Sequence, residues 1–215
     1  MCADRRWVAT NFSISQLSND GSDFVKPYSI NFTYLNGKRI RWDAVNVHDS
    51  VAIILYHVKR NSIVLVRQFR PVVFVKMVHE KAEDSLTYEL CAGILDKPGL
   101  SKAEVAKAEL REECGYDVPV DRLLEITTFR GSVGISGSTL TLFYAEIDDS
   151  MKINEGGGNI EENENIEVVE CPVDKIKDLF YDDTKQKPPS VMCSLLWFLY
   201  EREAFLKEKG YNPLT

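Results

Sequence analysis

"SKAEVAKAELREECGY", residues 101–116, is the stretch from which the rest of the chain is best understood. Ser101 followed by Glu104 has the form of a capping box, and no helix breaker intervenes before Gly115, so the spacing predicts a helix running from 101 to the glycine. Glu109, Glu112 and Glu113 then share one face, within an arc of roughly 100°. Like charges at that spacing cost about 0.2–0.5 kcal/mol per pair, and the backbone dipole also disfavours anions at this end of a helix. A solvated polar face would tolerate the crowding. However, Ala103, Ala106 and Leu110 form a small-residue stripe suited to close docking on a sheet, and a docked helix holds its carboxylates in place. The natural partner for such a cluster is a divalent cation. Magnesium suits it because it takes hard oxygen ligands, retains waters and completes its shell with substrate phosphates.

Upstream of the helix, "YELCAGILDKPGL" (88–100) reads as one short strand running into a Pro-Gly turn. "VAIILYHV" (51–58) and "SIVLVRQF" (62–69) are β-branched runs separated by three residues, which predicts neighbouring buried strands. "YSINFTYLNGKRIRWDAVNV" (28–47) alternates apolar and polar residues on both sides of Asn36-Gly37, a pair that readily takes the positive φ angles of a tight hairpin. Residues 76–87 are polar and weakly periodic, which predicts an excursion from the sheet. Downstream, "LLEITTF" (123–129) and "TLTLFYAEI" (139–147) flank the glycine-rich "RGSVGISGS" (130–138), and "IEVVECPV" (166–173) resumes β character after the polar "NEGGGNIEENEN" (154–165). Met192, Leu195, Leu196 and Leu199 make an apolar stripe at helical spacing near the C-terminus. The expected fold is α+β: a mixed β-sheet sandwiched between helices, preceded by an N-terminal antiparallel hairpin. The expected organisation is a β-rich segment over 1–48 and one catalytic domain over 49–215.

The totals restrict the class of function. With 26 basic and 33 acidic side chains in 215 residues, the net charge of −7 argues against broad attraction to nucleic acid or anionic lipid. Five scattered cysteines without zinc spacing, and a start without an apolar signal-type run, point to reduced thiols in the cytoplasm. No window is apolar for long enough to cross a bilayer, so no membrane partner is expected. The cysteines read as small core residues. The three histidines do not cluster, and His48 beside Asp49 reads as a structural hydrogen-bonded pair.

Gly93–Tyr116 resembles the signature of the Nudix hydrolases, which cleave nucleoside diphosphates linked to another moiety. The resemblance implies that Glu109, Glu112 and Glu113, with the backbone carbonyl of Ala92, hold magnesium, or manganese in its place. Two positions depart from the signature: Leu100 and Ala108 stand where the family carries a glutamate and an arginine that pair with each other, so a bridge is exchanged for packing. "WDAVNVHDSVAIIL", "IVLVRQFRPVVF", "GSVGISGS" and "EENENIEVVECP" extend the similarity over most of residues 28–200, towards the UDP-sugar pyrophosphatase branch and its ADP-ribose pyrophosphatase kin.

By the same resemblance Arg70 contacts the substrate diphosphate, a role for which a planar guanidinium fork is suited, and Glu89 lies near the metals. Glu164 on the acidic loop, with Glu162 as the near alternative, orients or deprotonates the attacking water. Gly156–Gly158 would let that loop close over substrate. Trp42 and Phe32 offer aromatic faces for a base across a homodimer interface, although core packing is the commoner fate of strand aromatics. Ser132, Ser136 and Ser138 meet sugar hydroxyls or phosphate, or else shape their turn. The expectation is magnesium-dependent hydrolysis of UDP-glucose or a related nucleotide sugar to UMP and a sugar 1-phosphate. The alternatives are an ADP-ribose pyrophosphatase and a Nudix module that binds a nucleotide without cleaving it. ADP-ribose enzymes often carry a proline about sixteen residues past the signature; none stands in "RGSVG", which favours the nucleotide sugar.

Overall fold

The structure, a computed structural model, describes residues 13–15, 22, 25–77, 85–159, 161 and 164–214. The N-terminal hairpin forms as expected, pairing β1 (Lys26–Thr33) with β2 (Arg39–Asn46) over eight residues each. Its turn is longer than the dipeptide predicts. Only Gly37 of the pair takes a positive φ, at 82°, and its N–H closes a turn by donating to the Tyr34 carbonyl at 2.8 Å.

The main sheet has the order β5-β4-β3-β8-β7. β3 (Ser50–His57) and β4 (Ser62–Phe69) are the buried pair predicted from their β-branched runs. They are paired only from Leu55↔Val64 to His57↔Ser62, and beyond that point the two strands part. The chain over 86–94, expected as a single strand, fills the fork as two. β5 (Leu86–Glu89) pairs with β4, and β6 (Cys91–Ile94) pairs with β3, Leu90 being the crossing residue. β8 (Thr139–Ile147) runs parallel to β3, β7 (Leu124–Arg130) lies antiparallel to β8, and β9 (Ile166–Pro172) covers the other side of β4. A short helix, α1 (Pro71–Lys76), follows β4 and buries none of its residues.

Two apolar layers sandwich the sheet. On one face α2 (Lys102–Glu109) and the turn after it place Val105, Ala106, Leu110 and Cys114 against Val51, Ile53 and Val66. On the other, α3 (Ile176–Tyr181), α4 (Pro189–Tyr200) and α5 (Arg202–Glu208) pack on Ile54, Leu65 and Tyr144. The buried side of α4 is Val191, Ser194, Leu195 and Phe198, while Leu196 points outward, 41% exposed. The stripe read from sequence is therefore rotated. "VMCSLLWFLY" is apolar nearly all round, so periodicity alone does not single out one face.

The predicted capping box is present: Ser101 Oγ accepts the Glu104 N–H, and Glu104 Oε2 accepts the Ser101 N–H at 2.7 Å. Leu100 does not pack as the apolar exchange with Ala108 suggested, since it is 44% exposed. Asp49 does not pair with His48 either. Its Oδ1 accepts the Thr139 N–H at 2.7 Å and its carbonyl accepts the Leu95 N–H at 2.8 Å, joining β8 to the end of β6. Cys91, Cys114 and Cys171 are buried and free as expected, whereas Cys193 is exposed. No helix among the described residues is long and apolar enough to cross a membrane.

Candidate active site

The carboxylate stretch does not continue as regular α-helix. After Glu109 the backbone widens into a π-helical turn over Leu110–Cys114, closed by Gly115 in the left-handed conformation at φ 73°. Turns of this kind are rare and are often found at functional sites. Its unpaired carbonyls are met from a distant loop. Gly157 N–H donates to the Glu113 carbonyl at 2.9 Å, Gly158 N–H to that of Glu112 at 3.2 Å, and Lys152 Nζ to that of Cys114 at 3.2 Å. These donors also offset the negative end of the helix dipole, which crowded glutamates alone would worsen. The close approach requires glycine: a Cβ on Gly156, at φ 71°, would lie 2.2 Å from the Glu113 carbonyl oxygen. Gly156–Gly158, expected to supply loop mobility, thus also cap the carboxylate turn, a role that depends on a contact some forty residues away along the chain.

Glu113 is 4% exposed, and its Oε2 accepts the backbone N–H of Ala92 at 3.0 Å. Burial pushes its carboxyl up to about 8, with the nearby charges of Glu109 and Glu164 adding to the shift against the Ala92 bond. Glu109 is raised to about 7, again mainly by burial, with Glu112, Glu164 and Asp96 on the same side of the balance and Lys97 opposing. Its side chain lies over Gly93, where a Cβ would come within 2.3 Å of its carboxyl carbon. Glu112 is half-buried beside Glu109.

Arg70 and Glu89 face this cluster from the fork between β3 and β4. Arg70 donates from Nε and Nη2 to the two oxygens of Glu89, each at 2.8 Å, and Thr87 Oγ1 donates to Glu89 Oε1 at 2.5 Å. The Glu89 bonds, helped by the charges of Glu113 and Glu164, raise the Arg70 pKa further. Glu164 is exposed on the loop beyond the glycines, its N–H donating to the Asn159 carbonyl and its Oε2 accepting the Asn159 N–H, both at 3.1 Å. It borders a cavity of about 670 Å³ with Arg60, Tyr116 and Lys152. Glu162 lies outside the described residues. The structure thus brings Arg70, Glu89, Ala92, Glu109, Glu112, Glu113 and Glu164 to one end of the sheet.

Trp42 and Ser132 lie elsewhere. Trp42 is 51% exposed, and its indole N–H donates to the Gly134 carbonyl at 2.9 Å. Ser132 holds a positive φ of 41°, uncommon for a residue other than glycine, while its carbonyl gathers the N–H groups of Ile135 and Ser136 at 2.9 Å. It lines a largely apolar cavity of about 780 Å³ with Phe129, Arg130, Leu142 and Trp197, on the α4 side of the sheet.

These donors suit a hard divalent ion: carboxylates, backbone oxygen, and a buried and a half-buried acid whose charged forms are destabilised until a cation offsets them. Among the described residues, however, no three acidic, histidine or cysteine side chains converge as a ready-made shell. Glu113 is held by the N–H of Ala92 and Glu109 lies over the adjacent Gly93.

No family model matches the chain. Bovine (Bos taurus) uridine diphosphate glucose pyrophosphatase NUDT14 is 38% identical over 198 residues, 82% of this chain and 89% of the relative. The mouse (Mus musculus) protein of that name is 34% identical over the same shares. GDP-mannose pyrophosphatase of Salmonella arizonae is 32% identical over 168 residues, 76% of this chain and 82% of the relative. A solved ADP compounds hydrolase shares the fold, with a TM-score of 0.62 and 22% identity over 89% of this chain and 91% of that one. With its carboxylate turn at the fork of the sheet and relatives of this identity along most of its length, the chain belongs to the Nudix hydrolase family.

Proposed function

We propose that this chain hydrolyses the diphosphate of a nucleotide sugar, UDP-glucose or a close relative, to UMP and a sugar 1-phosphate. The observation that carries this is the buried acid Glu113, with Glu109 half-buried beside it, and the guanidinium of Arg70 held near the charges of Glu113 and Glu164. Identity of 38% along 82% of the chain with a UDP-glucose pyrophosphatase supports the substrate class.

Glu109, Glu112, Glu113 and the carbonyl of Ala92 would hold magnesium or manganese. When bound, the ion would polarise the phosphate oxygens and lower the pKa of a nearby water. Ala92 N–H keeps the Glu113 carboxylate aimed by bonding one of its oxygens. Arg70 presents two donors in a plane, which matches two oxygens of a diphosphate once they replace Glu89. Glu164 sits on the loop that caps the carboxylate turn and is exposed, so in this role it accepts the proton of the attacking water. Glu162 is the alternative for that step. Ser132 and the cavity it lines offer hydroxyls and apolar walls for the remote part of the substrate.

The hairpin supports a homodimer: Tyr28, Ile30, Phe32 and Trp42 are 46%, 43%, 37% and 51% exposed in the single chain, an apolar face that a second copy would cover. In that arrangement Trp42 reaches the partner's base site, and the segment 1–48 serves assembly while 49–215 carries the chemistry. Free thiols at Cys91, Cys114 and Cys171 fit the reducing cytoplasm.

Specificity constants measured side by side for UDP-glucose, GDP-mannose and ADP-ribose with magnesium test the proposal. A preference for UDP-glucose supports it, a preference for ADP-ribose replaces the substrate, and no turnover of any of the three leaves a binding module.

A further inference from the structure

Lys97 lies in the loop between β6 and α2, before Pro98 and Gly99; Gly99 has a φ of +87° and open space where a side chain would stand. Its Nζ is 3.8 Å from Glu109 Oε1, and the lysine side chain is 48% exposed against 13% for the glutamate. Arg70 is committed to Glu89 and Lys152 to the Cys114 carbonyl, while Lys97 is the cation that acts on Glu109. Lys97 is therefore the side chain that offers Glu109 a counter-charge, and it does so from the solvent side.

This position affects the shape of the site. Glu113 is drawn to the N–H of Ala92, and Glu109 is drawn over Gly93 towards Lys97. The two carboxylates are satisfied by separate partners, which accounts for the lack of a preassembled three-ligand cluster among the described residues. An ammonium on a four-carbon stem is well suited to such a temporary role, because it is a compact charge that can swing away into water.

We propose that Lys97 is a tethered counter-cation that pairs with Glu109 in the metal-free protein and competes with a divalent ion for that carboxylate, so that it lowers the metal affinity of this chain. The proposal rests on Glu109 being a metal ligand, as argued above. Lys97 is thus a positioning residue, acting through Glu109 and not on the substrate. Because the pair is long and half exposed, its effect is modest, a change in the metal dissociation constant of about two- to five-fold.

The test is calorimetric titration of Mn2+ into the full-length protein, without nucleotide, for the parent chain, Lys97→Met and Lys97→Arg. The Met variant should bind Mn2+ about two- to five-fold more tightly, since nothing competes for Glu109, and the Arg variant should bind no more tightly than the parent. Equal or weaker binding by Lys97→Met overturns the proposal and leaves the metal site standing. If the parent chain takes up no Mn2+, both the proposal and the assignment of Glu109 as a ligand fall.

Discussion

Arg70 and Glu89 are joined by two parallel hydrogen bonds, each 2.8 Å long, which tie the end of β4 to β5 beside the fork where β3 and β4 separate. In the proposed role, the guanidinium would exchange the two oxygens of Glu89 for two oxygens of a diphosphate. Arg70→Lys keeps the charge and loses the fork. It should raise KM for UDP-glucose by about 10-fold or more with a smaller fall in kcat, measured by steady-state kinetics. An unchanged KM would remove Arg70 from the substrate site.

Glu113→Gln preserves shape and an acceptor for the Ala92 N–H while removing the charge. Turnover should fall by at least about 100-fold, with circular dichroism unchanged. A variant with near-full rate would end its assignment as a metal ligand.

The two raised carboxyls give the metal-free protein a definite pH response. Glu109 and Glu113 titrate at about 7 and about 8 when folded, above the ordinary value of 4.5. Between those limits the folded chain binds more protons than the unfolded one, so stability falls as pH rises through that window. Melting of the metal-free protein should drop on the order of 5–10 °C between about pH 5.5 and pH 8.5, and saturating magnesium should flatten the slope. A flat profile without metal would show that the two acids are better solvated than their burial implies.

Gly156→Ala places a methyl against the Glu113 carbonyl at a backbone angle that disfavours side chains. It should cost about 2 kcal/mol or more in a denaturant titration. Gly99→Ala, at φ +87° with open space around it, should cost only about 1–2 kcal/mol. Equal costs at both positions would mean that the glycine loop is not held against the turn.

Ile30→Glu puts a charge in the middle of the exposed hairpin face. Light scattering should report a dimer for the parent chain and a monomer for the variant. A monomeric parent would leave the apolar face without the proposed partner.

What the sequence shows well is what local chemistry determines. The capping box at Ser101 and the hairpin around Gly37 follow from residues within a few positions of one another. The break at Leu90 is not legible because it depends on β3 and β4 diverging, a matter of partners far away in the chain. The carbonyl-capping role of Gly156–Gly158 is hidden for the same reason. Arg70 and Glu89 are each visible as candidates, but that they bind each other depends on β5 pairing with β4 and on the chain turning at Arg70, which composition does not reveal. In α4 the opposite difficulty holds: apolar residues on every side obscure which face is inside.

The crossing at Leu90 also couples two parts of the site mechanically. Glu89, which holds the arginine, and Ala92, which aims the buried acid, lie three residues apart on either side of Leu90, the first in β5 stitched to β4 and the second in β6 stitched to β3. Any breathing of the sheet that spreads those strands pulls on both at once, so repacking far beneath the fork would detune substrate grip and acid alignment together, as one tension in a shared cord.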